Sequence, residues 1–242
     1  MSAITAITAQ NTLGVSAIHE VPVEIVKAQI DAVVDDIGAD AVKIGMLSSP
    51  EIIRTVAQAI DEKHLPHVVL DPVMVSATGA KLIDDGAMAC LVAELFSRAQ
   101  VITPNLDEAG LLLGQAITET TQLVAAARAL LGQGAQAVLL KGGHLVGAEV
   151  VDVLAIRQQA TGAVELHELQ SPRIQTHNLH GSGCTLSSAI ASYLALGLDL
   201  PAAVQAARVY VLAAIEAGMR VQIGKGVGPL NHTHAPQAMK VR

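Results

Sequence analysis

The stretch Asn178-Leu179-His180-Gly181-Ser182-Gly183-Cys184-Thr185-Leu186 decides how the rest of the chain is interpreted. A Gly-x-Gly loop runs directly into an Ala-, Ser- and Leu-rich pattern that predicts a helix over residues 186–196. Glycines let the backbone turn sharply and approach a ligand closely. The start of a helix presents unpaired N–H groups and the positive end of its dipole. The stretch therefore predicts a backbone anion site suited to phosphate.

Cys184 stands at the mouth of this predicted anion site. Because a helix N-terminus lowers the pKa of a thiol, we expect Cys184 to take part in the chemistry of the site rather than to fill space. A tight turn before a helix, with a small buried cysteine, explains the same residues. Glycine loops before helices are common in α/β proteins, so the stretch alone leaves both interpretations open.

Strand and helix patterns alternate along the chain, which predicts a three-layer α/β/α fold with a mostly parallel central sheet and helices on both faces. Residues 150–157 and 164–170 are expected to form an antiparallel pair. The other strands are predicted over residues 3–10, 41–45, 67–74, 101–105 and 137–144, helices over residues 22–36, 51–62, 85–96, 118–131, 186–196 and 201–217, and a loop over residues 76–79.

Composition supports this fold and excludes several classes of function. Hydrophobic residues make up 51% of the 242 residues, but the only aromatic ones are Phe96, Tyr193 and Tyr210, so the core is aliphatic, as in helices packed on a parallel sheet. Single-stranded nucleic-acid binding needs aromatic platforms, and a formal net charge of −7 opposes binding to a phosphate backbone.

The spacing of the cysteines and the length of the apolar runs indicate the cellular compartment of the protein. Cys90 and Cys184 match no metal-binding spacing, and two scattered cysteines are typical of a reduced, cytoplasmic protein. Charged residues or proline interrupt each long apolar run before it reaches the length of a membrane span. We therefore expect no membrane partner.

Polar residues at the ends of predicted strands are candidate site residues, because ligands bind at the carboxyl ends of parallel strands. Gln10 follows the first strand, although it is equally explained as a turn-stabilising amide. Asp71 ends the strand over residues 67–74, where a capping role is the alternative.

Two further strand ends carry candidates for phosphate chemistry. Asn105 and Glu108 follow the strand over residues 101–105 and could face a metal–phosphate group, although an acidic first turn also complements the helix dipole. Lys141 and Gly143 follow the strand over residues 137–144, a second place where the backbone could approach phosphate.

Several motifs along the chain together carry a family resemblance. They are Thr8-Ala9-Gln10-Asn11-Thr12, Lys43-Ile44-Gly45-Met46-Leu47, Val69-Leu70-Asp71-Pro72-Val73-Met74, Ile102-Thr103-Pro104-Asn105-Leu106-Asp107-Glu108-Ala109, Leu140-Lys141-Gly142-Gly143-His144, the stretch at 180–186 and Gly226-Val227-Gly228-Pro229. These motifs resemble the hydroxymethylpyrimidine/phosphomethylpyrimidine kinases of thiamine biosynthesis, which belong to the ribokinase-like superfamily. The superfamily more widely carries Asp where Cys184 stands, and the cysteine favours the pyrimidine branch.

This resemblance implies an ATP- and Mg²⁺-dependent transfer of phosphate to 4-amino-5-hydroxymethyl-2-methylpyrimidine, and a second transfer that gives the diphosphate. It implies a homodimer as well. The roles it implies are substrate binding by Gln10, Met46 and Val73, an anion hole of Gly181, Ser182, Gly183 and Cys184 with Cys184 as the base, nucleotide binding by Asp71, Asn105, Lys141, Gly143 and Thr176, and Mg²⁺ binding by Glu108.

Members of that family usually begin with a strand, a glycine-rich turn and a helix ahead of the point that matches residue 1. We therefore expect residues 1–242 to be one kinase domain that is truncated at its N-terminus. Two alternatives follow from the resemblance and this departure: a pyridoxal-kinase-like enzyme, or a non-catalytic nucleotide-binding remnant. A dinucleotide oxidoreductase is disfavoured, because no G-x-G-x-x-G follows the first strand.

Overall fold

The structure is a computed structural model that describes residues 1–75, 82–236 and 238. The loop predicted over residues 76–79 lies outside them. The strands are β1 (Ala6–Asn11), β2 (Gly14–Glu20), β3 (Val42–Ile44), β4 (Val68–Leu70), β5 (Val101–Ile102), β6 (Ala137–Leu140), β7 (Glu149–Arg157) and β8 (Val164–Pro172). The α-helices are α1 (Val23–Asp36), α2 (Pro50–Glu62), α3 (Asp85–Leu95), α4 (Leu106–Leu113), α5 (Leu123–Gly132), α6 (Ser182–Ala195) and α7 (Leu200–Gly218).

The central sheet has the strand order β3-β4-β5-β6-β7-β8. Strands β3 to β6 pair in parallel, and β7 and β8 continue the sheet as an antiparallel pair. The short parallel strands are built mostly from buried aliphatic residues, because helices cover both faces of the sheet. The predicted fold class and the antiparallel pair are confirmed.

Alternating residues of the strands feed two separate cores, one on each face. In β4, Leu70 packs with α2, α3 and α5, whereas Val69 packs with α6 and α7. Ser49, Asp84 and Asp199 cap α2, α3 and α7, and each accepts a hydrogen bond from a backbone N–H three residues along the chain. These caps fix where the helices begin, and those of α2 and α3 end the segments that follow the carboxyl ends of β3 and β4.

Two predicted helix starts are wrong, and the strands predicted over residues 67–74, 101–105 and 137–144 end earlier, at Leu70, Ile102 and Leu140. The helix predicted from residue 118 begins at Leu123, after a 3₁₀ turn over Thr120–Gln122, because the Gln122 side chain accepts hydrogen bonds from the backbone N–H of Thr118. The helix predicted from residue 186 begins four residues earlier, at Ser182, so the second glycine of the Gly-x-Gly loop lies in its first turn.

The first segment also differs from the prediction of a strand that opens the central sheet. Strands β1 and β2 form a separate two-stranded antiparallel hairpin, with Asn11 opposite Gly14. The chain reverses at Thr12 and Leu13, which form the tight turn of this hairpin. Most residues of the hairpin are exposed.

The hairpin is attached to the C-terminal part of the chain through Thr12. The Thr12 hydroxyl accepts hydrogen bonds from the backbone N–H groups of Lys225 and Gly226, and its carbonyl accepts one from Val227. A Cβ at Gly226 would lie 2.0 Å from the Thr12 carbonyl oxygen, so this contact requires glycine.

Within the described part of the chain, α7 alone is long and apolar enough to cross a membrane by length and composition. Pro201, Arg208 and Glu216 interrupt its apolar run, as the sequence predicts for each long run. The finding is weak evidence for a membrane, because core helices pass the same test. Ala203, Val204 and Ala207 of α7 are fully buried in the core that faces α6.

Candidate active site

One large cleft runs along the carboxyl ends of β3 to β6, as part of a cavity of about 1820 Å³ that also extends past α1, α2, α6 and α7. The sheet places residues that are far apart in sequence side by side here, because parallel strands end at the same edge. The predicted site residues that line the cleft are Gln10, Met46, Asp71, Val73, Asn105, Glu108, Lys141, Gly143, Gly181, Ser182, Gly183 and Cys184. Thr176 is not among the lining residues, and its hydroxyl accepts a hydrogen bond from the backbone N–H of Asn178.

The predicted anion site is the N-terminus of α6. Gly181 precedes the helix with φ 82°, in the left-handed region that favours glycine. The N–H of Ser182 is bonded to the Leu179 carbonyl, but those of Gly183 and Cys184 have no acceptor within the described residues. Two backbone donors at the positive end of a helix dipole are therefore available to an anion in the cleft.

A buried ion cluster lies beneath this helix start. Asp71 is 2% exposed, and its Oδ1 atom accepts hydrogen bonds from Lys141 Nζ and Thr103 Oγ1, both at 3.0 Å. Its Oδ2 atom lies 3.3 Å from Ser187 Oγ and 3.9 Å from Lys43 Nζ. Asp71 therefore anchors two lysines, and the alternative of a capping role for it is wrong.

The charges of this cluster stabilise one another. Burial alone would raise the pKa of Asp71, but Lys141 and Lys43 hold it below its usual value. Burial would lower the pKa of Lys141, but Asp71 and Glu108 hold it above its usual value. Both groups are therefore charged at neutral pH. A Cβ at Gly183 would lie 3.1 Å from Lys141 Nζ, which places this ammonium against the first turn of α6.

Cys184 is exposed, so the alternative of a small buried cysteine is wrong. The expectation of a lowered thiol pKa is also wrong, because other groups that line the cleft with Cys184 outweigh the effect of the helix N-terminus. The surrounding protein displaces water and, with Asp71 and Glu108, raises the pKa of Cys184 against the opposing effect of Lys43 and Lys141. Cys184 is therefore predominantly a neutral thiol at pH 7.

Asn105 and Glu108 cap α4 reciprocally. The Asn105 side chain accepts a hydrogen bond from the Glu108 N–H at 2.9 Å, and Glu108 Oε2 accepts one from the Asn105 N–H at 2.8 Å. The acidic first turn of the dipole explanation is thus present, because Asp107 and Glu108 both lie in it. Glu108 is 3% exposed, and burial raises its pKa to about 7, against the effect of Lys141.

This raised pKa predicts a pH-dependent stability. Between pH 4.5 and about 7 the folded state holds a proton on Glu108 that the unfolded state has released. The free energy of unfolding should therefore fall as pH rises through this window, by up to about 3 kcal/mol. Glu108→Gln keeps the cap and removes the titration. Urea unfolding from pH 4.5 to 8, without metal or nucleotide, should show the variant gaining stability over the parent by that amount.

The exposed neighbour Asp107 provides the matched control. Its carboxylate lies 2.9 Å from His144 Nδ1 at the surface. In Asp107→Asn, the pH dependence of the free energy of unfolding that Glu108 causes should remain unchanged. A parent protein and a Glu108→Gln variant with parallel profiles would contradict the assignment.

The hairpin forms one wall of the cleft. Ala6, Thr8 and Gln10 line the cleft, and Ile7 lies on the opposite face because strand residues alternate. Met46 follows β3 and Val73 follows β4, so these three predicted substrate residues lie toward the β3 end of the sheet. Lys141 and Gly143 follow β6, toward the other end.

Three residues of the cluster were missed by sequence reasoning: Lys43, Thr103 and Ser187. Lys43 had a usable signal, since a lysine in the middle of a half-buried, otherwise aliphatic strand needs a partner. Ser187 lies one turn after Gly183 on α6, and its link to Asp71 joins residues 116 apart in sequence. Local patterns carry no information about such a contact.

The donor set fits a magnesium ion only in part. Within residues 1–75 and 82–236, no group of three or more His, Cys, Asp or Glu side chains could hold a metal. Mg²⁺ commonly uses one or two carboxylates together with phosphate oxygens and water. The cleft therefore fits a magnesium ion that enters with a nucleotide, near Glu108.

The sequence of the chain is similar to those of known kinases. The family model for phosphomethylpyrimidine kinase matches residues 1–231. A hydroxymethylpyrimidine/phosphomethylpyrimidine kinase from Rhizobium meliloti is 47% identical over 234 residues, which cover 96% of this chain and 85% of the relative.

Solved structures have the same fold. A phosphomethylpyrimidine kinase from Clostridium difficile 630 has a TM-score of 0.74 and 40% identity, over 89% of this chain and 86% of that one. An ADP complex of Bacillus subtilis pyridoxal kinase has a TM-score of 0.84 and 33% identity, over 97% of this chain and 86% of that one.

Proposed function

The chain belongs to the phosphomethylpyrimidine kinase family, and from this premise we propose that it phosphorylates hydroxymethylpyrimidine and then its monophosphate. ATP is the phosphate donor in this proposal, and the product is the pyrimidine diphosphate of thiamine biosynthesis. The ADP complex of the related pyridoxal kinase supports a nucleotide in the same fold.

One observation carries the proposal: the free N–H groups of α6, the Cys184 thiol and the Lys141 ammonium converge on one cleft. Phosphoryl transfer depends mainly on positioning and on stabilising charge. Gly183 and Cys184 supply backbone donors that need no reorganisation, and Lys141 supplies a positive charge beside them. Gln10, Met46 and Val73 hold the pyrimidine, and Asp71, Asn105, Gly143 and Thr176 serve the nucleotide side.

Magnesium is part of the proposal through the nucleotide. Glu108 is the residue that would hold the ion, and a nearby divalent cation favours its ionised form. The ion supplies charge neutralisation on the phosphate oxygens. The chain itself contributes the position of Glu108, which the cap with Asn105 fixes.

The direct test is ADP formation with hydroxymethylpyrimidine, with its monophosphate and with pyridoxal as acceptors. We expect turnover with both pyrimidines and at least tenfold lower kcat/KM with pyridoxal. Turnover mainly with pyridoxal would favour the pyridoxal-kinase alternative, which the related structures motivate. ATP binding without turnover on any acceptor would favour a nucleotide-binding remnant. The assignment of residues 1–242 to one truncated kinase domain stays a prediction.

We also propose a cytoplasmic homodimer. Cys90 and Cys184 are both free, as in a reducing compartment. Ile7 and Leu13 of the hairpin are 59% and 60% exposed, and a second copy of the chain would cover such apolar residues.

Light scattering after size exclusion tests the dimer. We expect twice the chain mass of 24.9 kDa, and a shift toward the monomer for Ile7→Lys, because a charge would be buried without a partner. A monomeric parent protein would contradict the proposal.

A further inference from the structure

Lys43 is a cation in the cleft to which neither the motifs nor the proposed roles give a function. It is the middle residue of β3 and is paired in register with Val69, whose side chain faces α6. Lys43 therefore points to the α6 face, where its Nζ atom lies 3.9 Å from Asp71 Oδ2. A Cβ at Gly45 would lie 2.9 Å from the same Nζ atom, so the glycine leaves room for the ammonium.

The Lys43 ammonium retains the capacity to bind an anion. Within the described residues, Asp71 is its only charged partner within 4 Å, and at 3.9 Å that contact is an ion pair without a hydrogen bond. The Asp71 carboxylate is already bound more closely by Lys141 and Thr103, both at 3.0 Å. The Lys43 side chain is 19% exposed and lines the cleft.

Lys43 and Lys141 flank the Asp71 carboxylate, one beside each of its two oxygen atoms. Lys43 is on β3, just before Gly45 and Met46, whereas Lys141 follows β6. Lys43 is also the main charge that opposes the rise in the pKa of Cys184. The cleft thus has one cation on the β3 side of Asp71, where the proposed substrate residue Met46 follows, and one on the β6 side, where the proposed nucleotide residues follow.

The two proposed acceptors make different electrostatic demands. In the first transfer, the hydroxyl oxygen bonds to the γ-phosphorus, the bond to the bridging oxygen of ADP breaks, and the hydroxyl loses a proton. In the second, an oxygen of the monophosphate forms the new bond, ADP leaves in the same way, and a dianionic acceptor has no proton to lose. The second transfer therefore brings two anionic groups together, so a cation on the acceptor side matters most there.

We propose that Lys43 forms an acceptor-side phosphate subsite, which binds the phosphate that the substrate already carries in the second transfer. This inference rests on the proposed function. Under this proposal the two reactions take place in one active site, but Lys43 serves mainly the second transfer.

The test compares Lys43→Met with the parent protein, using hydroxymethylpyrimidine and its monophosphate as separate acceptors. We expect kcat/KM for the monophosphate to fall about 10- to 100-fold, the size of one lost hydrogen bond to a charged group. The fall for the alcohol should be at least tenfold smaller. Calorimetric titration with the monophosphate, in the absence of ATP, should show weaker binding by a similar factor.

Two further variants test whether the loss of monophosphate activity comes from the lost charge rather than from a general loss of structure. Lys43→Arg keeps the charge and should restore most of the monophosphate activity. Gly45→Ala crowds the ammonium and should reduce the same activity selectively. Circular dichroism and thermal unfolding verify that each variant is folded.

The outcomes are distinguishable from failure of the proposed function. If the parent protein phosphorylates neither pyrimidine, the proposed function falls. If the parent phosphorylates both, equal losses for the two acceptors in Lys43→Met, or an unchanged monophosphate reaction, would overturn the subsite.

Discussion

Cys184→Ala should lower kcat for phosphorylation of the hydroxymethyl group by about 10²- to 10⁴-fold, the usual contribution of a positioned base. The thiol lies in the first turn of α6, next to the backbone donors proposed to hold the transferred phosphate. Removal of Sγ leaves those donors in place. Binding of the pyrimidine, measured by calorimetry, should therefore remain close to that of the parent protein.

The raised pKa of Cys184 adds a pH signature to this prediction. Below its pKa the thiolate fraction rises about tenfold per pH unit, so the alcohol reaction should accelerate from pH 7 to 9. The second transfer uses an acceptor that is already anionic, so its rate should lack this rise. The rise in rate from pH 7 to 9 should disappear from the alcohol reaction of Cys184→Ala.

Cys90→Ala is the matched control, because it removes the other cysteine, which is buried between α2 and α3 and away from the cleft. It should retain the parent turnover. Near-normal alcohol turnover in Cys184→Ala would disprove the base role. The function of residue 184 would then reduce to its backbone N–H.

Lys141→Met should lower kcat by about 10²- to 10³-fold with both acceptors, because it removes a fixed charge from the developing transition state. The variant also leaves the buried Asp71 carboxylate without its closest cation. Breaking a buried pair in this way costs about 3–5 kcal/mol. Thermal unfolding should therefore show a clear loss of stability alongside the loss of turnover.

A double variant separates these two effects. Asp71→Asn combined with Lys141→Met removes both charges, so most of the stability should return while turnover stays low. Recovery of activity in the double variant would show that Lys141 acts only by neutralising Asp71. A loss confined to one acceptor would contradict a donor-side role.

Most of the fold could be predicted because its signals are local. Buried strands such as Val68–Leu70 are runs of β-branched and aliphatic residues, and the intervening helices have caps and apolar periodicity. The hairpin was missed because its strands are exposed and alternate weakly. Its turn residues, Thr12 and Leu13, also lack the Asn-Gly or Asp-Gly pattern that marks tight hairpins.

The motifs predicted which residues meet at the site, but they did not predict how the charges of the site shift its pKa values. Strand ends and the glycine loop brought Asp71, Lys141 and Cys184 to one edge, as expected from topology. The direction of the Cys184 pKa depends on Asp71, Glu108 and the cleft walls, which lie far from it in sequence. A helix N-terminus lowers a thiol pKa only while such neighbours do not outweigh it.

The attachment of the hairpin through Thr12 limits when the hairpin can dock against the rest of the protein. Thr12 and Lys225 are separated by 213 residues, so both segments must have left the ribosome before this contact forms. Closing contacts between residues so distant in sequence costs loop entropy and slows folding. The wall of the cleft that carries Gln10 can therefore be fixed in place only after Lys225 has been synthesised.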